Sequence, residues 1–412
     1  MTRRTRLLAA LGALILVGIL GGLVVGGVIG PNLTGSTGPI AGGTSSGGAP
    51  AVPTPEPTPV PTPGHEVYGY VPYWEMDASI AVHVAGTDLT TLALFSVTNK
   101  RNGTLDTAQN GYKRITGAIG QELIAAAHAR GTRVELVFSS FGLDKNQRLF
   151  GGSLANQDRL IASLVELLGQ TKVDGINVDV EQLDLDLVKA YGDFVARLRA
   201  AATAAQPKAQ VSVATPANLG GAAMAVAATA AGADRIFLMG YDYHWSGSAP
   251  GASSPILRRD GDPKSLTWSL DLYESLGVPV QRTLLGLPFY GMAWPVDGPE
   301  VAAPQTGKGS AWIPSDHLDL LRDPAIVPTR DEIEQVEVYT LPTDKSGGIA
   351  VGAGTPAGWL AIYVDSAETL RPKLTMADER GLAGAGFWAI GYERGVPQLT
   401  ALIARFRAGK LE

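Results

Sequence analysis

The residues of this chain whose types and spacing could do chemistry stand together in one short run, Asp174-Gly-Ile-Asn-Val-Asp-Val-Glu181. Along a β-strand successive side chains point to opposite faces, so Asn177, Asp179 and Glu181 share one face while Ile176, Val178 and Val180 share the other. Alternate residues lie roughly 6–7 Å apart at Cα, which lets the carboxyls of Asp179 and Glu181 meet. Like charges that close do not both ionise cheaply, so one acid keeps its proton to higher pH. A protonated carboxyl beside an ionised one is the apparatus of general acid catalysis. The same row also fits a solvated strand end or a divalent-metal cluster.

Composition narrows the chemistry. The 412 residues carry a formal charge of −6 with no basic block beyond the extreme N-terminus, which argues against nucleic acid as a partner. Cysteine is absent, removing thiol nucleophiles, disulfides and thiolate metal sites. His65, His83, His128 and His317 are scattered without ligand spacing, so a zinc site is not expected, and no cofactor is expected. The chain is long enough for an α/β barrel stable without cross-links, and a monomer is expected.

Three segments follow one another. Arg3, Arg4 and Arg6 precede an uncharged apolar run from Leu7 to Ile29, longer than the ~20 residues a membrane span needs, so residues 1–30 read as an anchor with the remainder exported. A cleaved signal peptide is the alternative, although the run is long for one and lacks a clear small-x-small site. Residues 31–64 turn rich in Gly, Ser and Thr and then repeat Pro-Thr, a composition that buries no core and reads as a semi-rigid spacer. A proline-motif ligand is the competing reading of that repeat.

From residue 65 to 412, β-rich runs alternate with helical periodicity. The runs are Val67–Pro72, Thr91–Thr98, Arg133–Ser139, Gly175–Glu181, Gln210–Thr215, Arg235–Tyr241, Thr283–Pro288 and Ala385–Ile390. Gly120–Arg130, Gln157–Leu168, Leu187–Ala205 and Ser366–Glu379 carry apolar residues at three- and four-residue spacing. Eight strands with intervening helices predict a (β/α)₈ barrel, a TIM barrel of the α/β class. Between the seventh and eighth runs the chain is too long for one helix and two loops. Its middle, about residues 292–358, holds Trp294 and Trp312 and reads as a small α+β insertion forming one wall of the cleft.

In such a barrel the fourth run points Asn177, Asp179 and Glu181 into the lumen, with Glu181 at the catalytic rim. The sixth run brings Tyr241 and Asp242 to the same mouth, the eighth brings Trp388 and the first brings Tyr70. With these motifs in order, the chain from Glu66 onward resembles glycoside hydrolase family 18, the chitinase-like barrels. Asp174-Gly-Ile-Asn-Val-Asp-Val-Glu181 is similar to that family's Asp-Gly-x-Asp-x-Asp-x-Glu, Met239-Gly-Tyr-Asp242 to its Met-x-Tyr-Asp, and Trp388 to its strand-eight tryptophan. Gly286-Leu-Pro-Phe-Tyr-Gly291 and Ile362-Tyr-Val-Asp-Ser366 resemble the spore-germination and cortex-lytic branch.

The resemblance implies a substrate-assisted retaining hydrolysis of β-1,4 bonds at N-acetylglucosamine, in peptidoglycan or a chitin-like polymer. Glu181 would protonate the glycosidic oxygen, Asp179 would orient the sugar's acetamido N–H, and Tyr241 would bond the acetamido oxygen. Trp388 would stack on the sugar, with Tyr70, Asp242 and Asn177 lining the subsite. Asn177 departs from the pattern by standing where the family has a carboxylate, which bears on the pH optimum; an amide can still bond Asp179. Ser139-Ser-Phe-Gly142 only loosely matches the family's Ser-x-Gly-Gly, giving Ser139 a supporting role. Asp174 reads as holding the turn into strand four, and His244 and Trp245 as either sugar contacts or loop caps.

Two other functions compete. A non-catalytic carbohydrate-binding barrel would usually lack the acid, which is present as Glu181. A metal-dependent phosphohydrolase would need Asp174 beside Asp179 and Glu181, and Asp174 has the wrong strand parity.

Overall fold

The computed structural model describes residues 64–349 and 356–411. The apolar N-terminal run and the proline-rich linker lie outside the described residues. Among the described residues no helix is long and apolar enough to cross a membrane.

Seven strands come first: β1 (Glu66–Pro72), β2 (Thr91–Val97), β3 (Arg133–Phe141), β4 (Gly175–Glu181), β5 (Gln210–Pro216), β6 (Arg235–Met239) and β7 (Thr283–Pro288). Five more follow, β8 (Gly291–Val296), β9 (Ser310–Trp312), β10 (Thr329–Asp331), β11 (Val336–Thr343) and β12 (Gly358–Val364), ahead of β13 (Gly384–Trp388). Strands β1 to β7 and β13 close into an eight-stranded barrel, every neighbouring pair parallel. The (β/α)₈ expectation is therefore met.

The helices close the outer layer because each presents one apolar stripe. Along Leu154–Thr171 the buried positions Leu160, Ile161, Leu164, Leu167 and Leu168 recur at helical spacing, and the helix stops at Lys172 in the left-handed region. In Val188–Ala205 the stripe is Tyr191, Phe194, Val195, Leu198 and Ala202, with Phe194 packed on Phe138 of β3. Ser366 caps Ala367–Glu379 through a reciprocal box with Thr369.

Inside the barrel the fill is aromatic: Tyr68, Tyr70, Phe95 and Phe237 pack with Val137, Ala214 and Leu284. Phe237 fits only because β7 and β13 offer it glycines. A Cβ at Gly286 or at its register partner Gly386 would stand 2.4 or 2.5 Å from that ring. Beneath the ring layer a polar chain links four strands: Tyr68 Oη donates to Glu135 at 2.7 Å, Ser212 donates to the same carboxylate, Asn177 Nδ2 donates to Ser212 Oγ at 2.7 Å, and Tyr70 Oη donates to Asn177 Oδ1 at 3.2 Å. Buried polar groups persist only when paired in this way.

Strand six ends two residues before the expected boundary. The Gly240 N–H bonds Leu238 O at 2.9 Å and Gly286 O at 3.0 Å, turning the chain so that Tyr241 and Asp242 leave the ladder. The insertion forms an antiparallel sheet in the order β10-β11-β12-β8-β9 over its own core of Ala293, Trp312, Leu341, Ile362 and Val364. It extends to Val364, past the expected 358, because residues 359–363 pair with β8 while the whole strand pairs with β11.

A buried ion pair joins this sheet to the helix that leads back to the barrel. Lys373, fully buried on Ala367–Glu379, donates to Asp365 Oδ1 at 2.5 Å just beyond β12. Lys373→Met leaves the carboxyl buried without its cation and is expected to cost roughly 3–5 kcal/mol in urea unfolding, whereas Lys373→Met with Asp365→Leu restores most of it. Equal stability of the single variant and wild type would show that the pair is not desolvated.

Candidate active site

Strand β4 carries the acids to the C-terminal rim. Asp179 is 3% exposed and lies in register with Ser139 of β3 and Ala214 of β5; Glu181, two residues on, is only partly buried. Burial, followed by the charge of Glu181, pushes the Asp179 carboxyl well above the usual carboxylate range. Burial and then the charge of Asp242 push Glu181 up to about 7. Both shifts favour the neutral form, as desolvation and a like charge require. Asp179 Oδ1 is buried and receives no hydrogen bond from the protein.

The backbone under Glu181 is fixed from outside the strand. Fully buried Asn146, on the helix Leu143–Phe150, donates from Nδ2 to Glu181 O at 2.6 Å and to Gln182 O at 3.2 Å, and its Oδ1 accepts from Ser140 at 2.7 Å. Gln182 then turns the chain through the left-handed region. Sequence reasoning missed Asn146, since a polar residue on a short polar helix carries no periodic signal.

Tyr241 and Asp242 arrive at the same mouth from the turn after β6. Asp242 stands exposed in the left-handed region, its Oδ1 accepting from Tyr290 Oη and its N–H donating to Ser253 Oγ at 3.1 Å. Tyr290 packs edge-on against Tyr241, with ring centres 6.2 Å apart. Burial raises the phenols of Tyr70 and Tyr241 well above their usual range, so both remain donors at neutral pH. Tyr290 was not singled out from the sequence, although it stands in the quoted Gly286–Gly291 motif.

Trp388 ends β13 half-buried, bounded by Phe95 at 4.7 Å, Tyr70 at 5.6 Å and Trp74 at 6.2 Å between ring centres. Trp74 and Phe141, also missed, extend the aromatic wall; Trp74 Nε1 donates to Tyr392 Oη at 3.0 Å. Phe141 lies beside Phe95 with nearly parallel rings.

The other predicted residues fall as follows. Asn177 is fully buried, its amide engaged by Tyr70 and Ser212 rather than by Asp179. Ser139 faces the lumen but shares a 2.8 Å hydrogen bond with Ser96. Asp174, at the opposite end of β4, accepts from Val134 N at 2.8 Å and lies 2.9 Å from His128 Nε2, holding the turn. His244 is buried, with Nδ1 2.8 Å from Ala249 O inside its own loop, and that loop is held to the insertion by Glu334, which accepts from Ala252 N at 2.7 Å and Arg259 N at 3.1 Å. Among the described residues no three His, Asp or Glu side chains converge as metal ligands would.

A closed parallel barrel with paired acids, phenols and an indole at its C-terminal mouth defines a carbohydrate-hydrolase class of site. Residues 66–393 match Glycosyl hydrolases family 18, and the chain belongs to that family. It is 30% identical over 157 residues to Chitinase C of Streptomyces lividans, covering 37% of this chain and 23% of that protein, so it spans less than a quarter of that relative. Among solved structures it is similar to the Bacillus cereus spore cortex-lytic enzyme SleL, at 19% identity and TM-score 0.63 over 83% of this chain and 74% of that one. It is also similar to a chitinase from Cycas revoluta in complex with (GlcNAc)3, at 14% identity and TM-score 0.68 over 84% and 100% of the two chains.

The raised acid couples to stability. Glu181 binds its proton more tightly in the folded chain, with its value about 7, than unfolded, where it is 4.5. Its contribution is thus fully present below the unfolded value and lost as pH rises through about 7. Glu181→Gln removes that loss, so the variant is expected to gain about 1–3 kcal/mol on wild type between pH 4.5 and 8, allowing for partial exposure. A difference in Tm that does not change with pH would contradict the raised value.

Proposed function

We propose that the chain is an exported, membrane-tethered glycoside hydrolase that cuts β-1,4 bonds beside N-acetylglucosamine by a retaining, substrate-assisted route. The observation that carries the reading is Asp179 Oδ1, a buried carboxylate oxygen with no donor from the protein, beside an acid held protonated near neutrality. An acetamido N–H is a donor of the kind that oxygen lacks. Held there, the amide's carbonyl oxygen attacks the anomeric carbon as Glu181 gives its proton to the departing glycosidic oxygen. Two acids this close hold one proton between them; with the acetamido N–H on Asp179 that proton rests on Glu181, so Asp179 meets the positive oxazolinium as a carboxylate, and Tyr241 donates to the acetamido oxygen. Water then opens the ring, with Glu181, now ionised, taking its proton.

The family match supports the hydrolase class. The Cycas revoluta chitinase is in complex with (GlcNAc)3 and SleL is a spore cortex-lytic enzyme, which together favour N-acetylglucosamine-containing glycans as substrates. Tethering rests on the apolar run at residues 7–29 and the proline-rich spacer, which would hold the barrel near wall glycan.

The test uses residues 64–412, chito-oligosaccharides and purified peptidoglycan, with products weighed by mass spectrometry. Wild type is expected to release reducing ends, and Glu181→Gln to lower kcat by roughly 10²–10⁴. Because the acid must be protonated, kcat/KM is expected to fall as pH rises through about 7. Binding of glycan by both proteins with cleavage by neither would replace the enzyme with a lectin-like barrel.

A further inference from the structure

The barrel's C-terminal rim also holds a cavity that the mechanism does not use. It is a cavity of about 390 Å³ lined by Thr98, Lys100, Arg101, Asp106, Lys145 and Arg148, among others. Thr98 directly follows β2, and Lys145 and Arg148 lie on the helix after β3, so the cavity opens on the C-terminal rim that carries Glu181. The connection is one residue long. Lys145 lines the cavity, donating to Thr98 Oγ1 and lying 3.5 Å from Ser139 O, while its neighbour Asn146 holds the backbone of Glu181.

The charge of this pocket runs against that of the chain. Four cations face one carboxylate, in a protein of net charge −6. Asp106 lies 4.0 Å from Lys100 and its charge also acts on Lys145, which Arg148 repels, so this one carboxylate serves the whole cluster. Lys145 is largely buried, and this draws its ammonium down to about 8, still mostly charged at neutral pH. Cations that outnumber their counter-charge in one cavity repel one another unless a further anion joins them. A neutral glycan offers none.

Resting on the hydrolase reading above, we propose that this cavity receives a carboxylate carried as a substituent on the glycan, so that the enzyme prefers acidic strands to neutral ones. Arg101 and Arg148 supply paired N–H donors for a carboxylate, and Lys145 a point charge. Two sources share this chemistry: a lactyl ether carboxylate on the sugar itself, and the carboxylates of a peptide attached to it.

The experiment uses the chain from residue 64 with Glu181→Gln for binding and Glu181 for turnover. The ligands are peptidoglycan strands with peptides intact, the same strands with peptides removed, strands whose carboxyls are amidated, and neutral chito-oligosaccharides. Acidic strands are expected to bind and turn over at least about tenfold better than amidated ones, the preference weakening with salt. Arg148→Ala and Arg101→Ala are expected to abolish that preference and leave chito-oligosaccharide kcat/KM within twofold; both side chains are exposed, so folding is not at stake. Retention of the preference after peptide removal assigns the sugar's own carboxylate, and its loss assigns the peptide. Equal binding of acidic and amidated strands, or equal losses on acidic and neutral substrates in the variants, overturns the pocket. Cleavage of neither substrate class by wild type overturns the hydrolase reading instead, and the binding arm still judges the pocket.

Discussion

Water excluded from two acids on one strand raises the free energy of their ionised forms, and the barrel is arranged to tolerate that. Asp179 is buried against its neighbours in β3 and β5, and Glu181 sits two residues higher where the strand meets solvent. Burial outweighs the nearby charges in both shifts, so the closed sheet, more than any single neighbour, sets their proton affinity. An open or frayed strand would let water restore ordinary carboxylates, and the protonated donor would vanish near neutrality.

Everything around the acids holds that geometry. From below, the chain Tyr70–Asn177–Ser212–Glu135–Tyr68 ties β1, β3, β4 and β5 with paired polar groups. From the side, Asn146 fixes the carbonyl of Glu181 and thereby the direction of its side chain. Opposite, Phe95, Tyr70 and Trp74 set the plane of Trp388, and Tyr290 holds Asp242, whose charge acts on Glu181.

The insertion after β7 and the basic cavity beside β2 and β3 occupy different parts of the rim. One is a self-contained sheet with its own core, anchored by the buried Lys373–Asp365 pair and by Glu334, which accepts from the backbone of Ala252 and Arg259. The other consists of loop and short-helix residues on the barrel itself. A rigid barrel with variable rim elements lets substrate preference change without moving the acids.

The barrel was legible along the chain because each buried strand is a short β-rich run and each helix an apolar stripe, and these patterns are local. The fourth and seventh runs were read to the residue, and the row Asn177, Asp179, Glu181 followed from strand parity alone. Sequence could not show where strand six stops, because that depends on Gly240 bonding Gly286 across the sheet. Nor could it pair Asn146 with Glu181, Tyr290 with Asp242, or Trp74 with Trp388, residues 35, 48 and more than 300 positions apart. It left Asn177 facing Asp179, whereas the fold turned its amide to Tyr70 and Ser212. Which residue types lie on which face is a matter of local period; which partner each group meets, and how much water is excluded from it, depends on closure of the barrel.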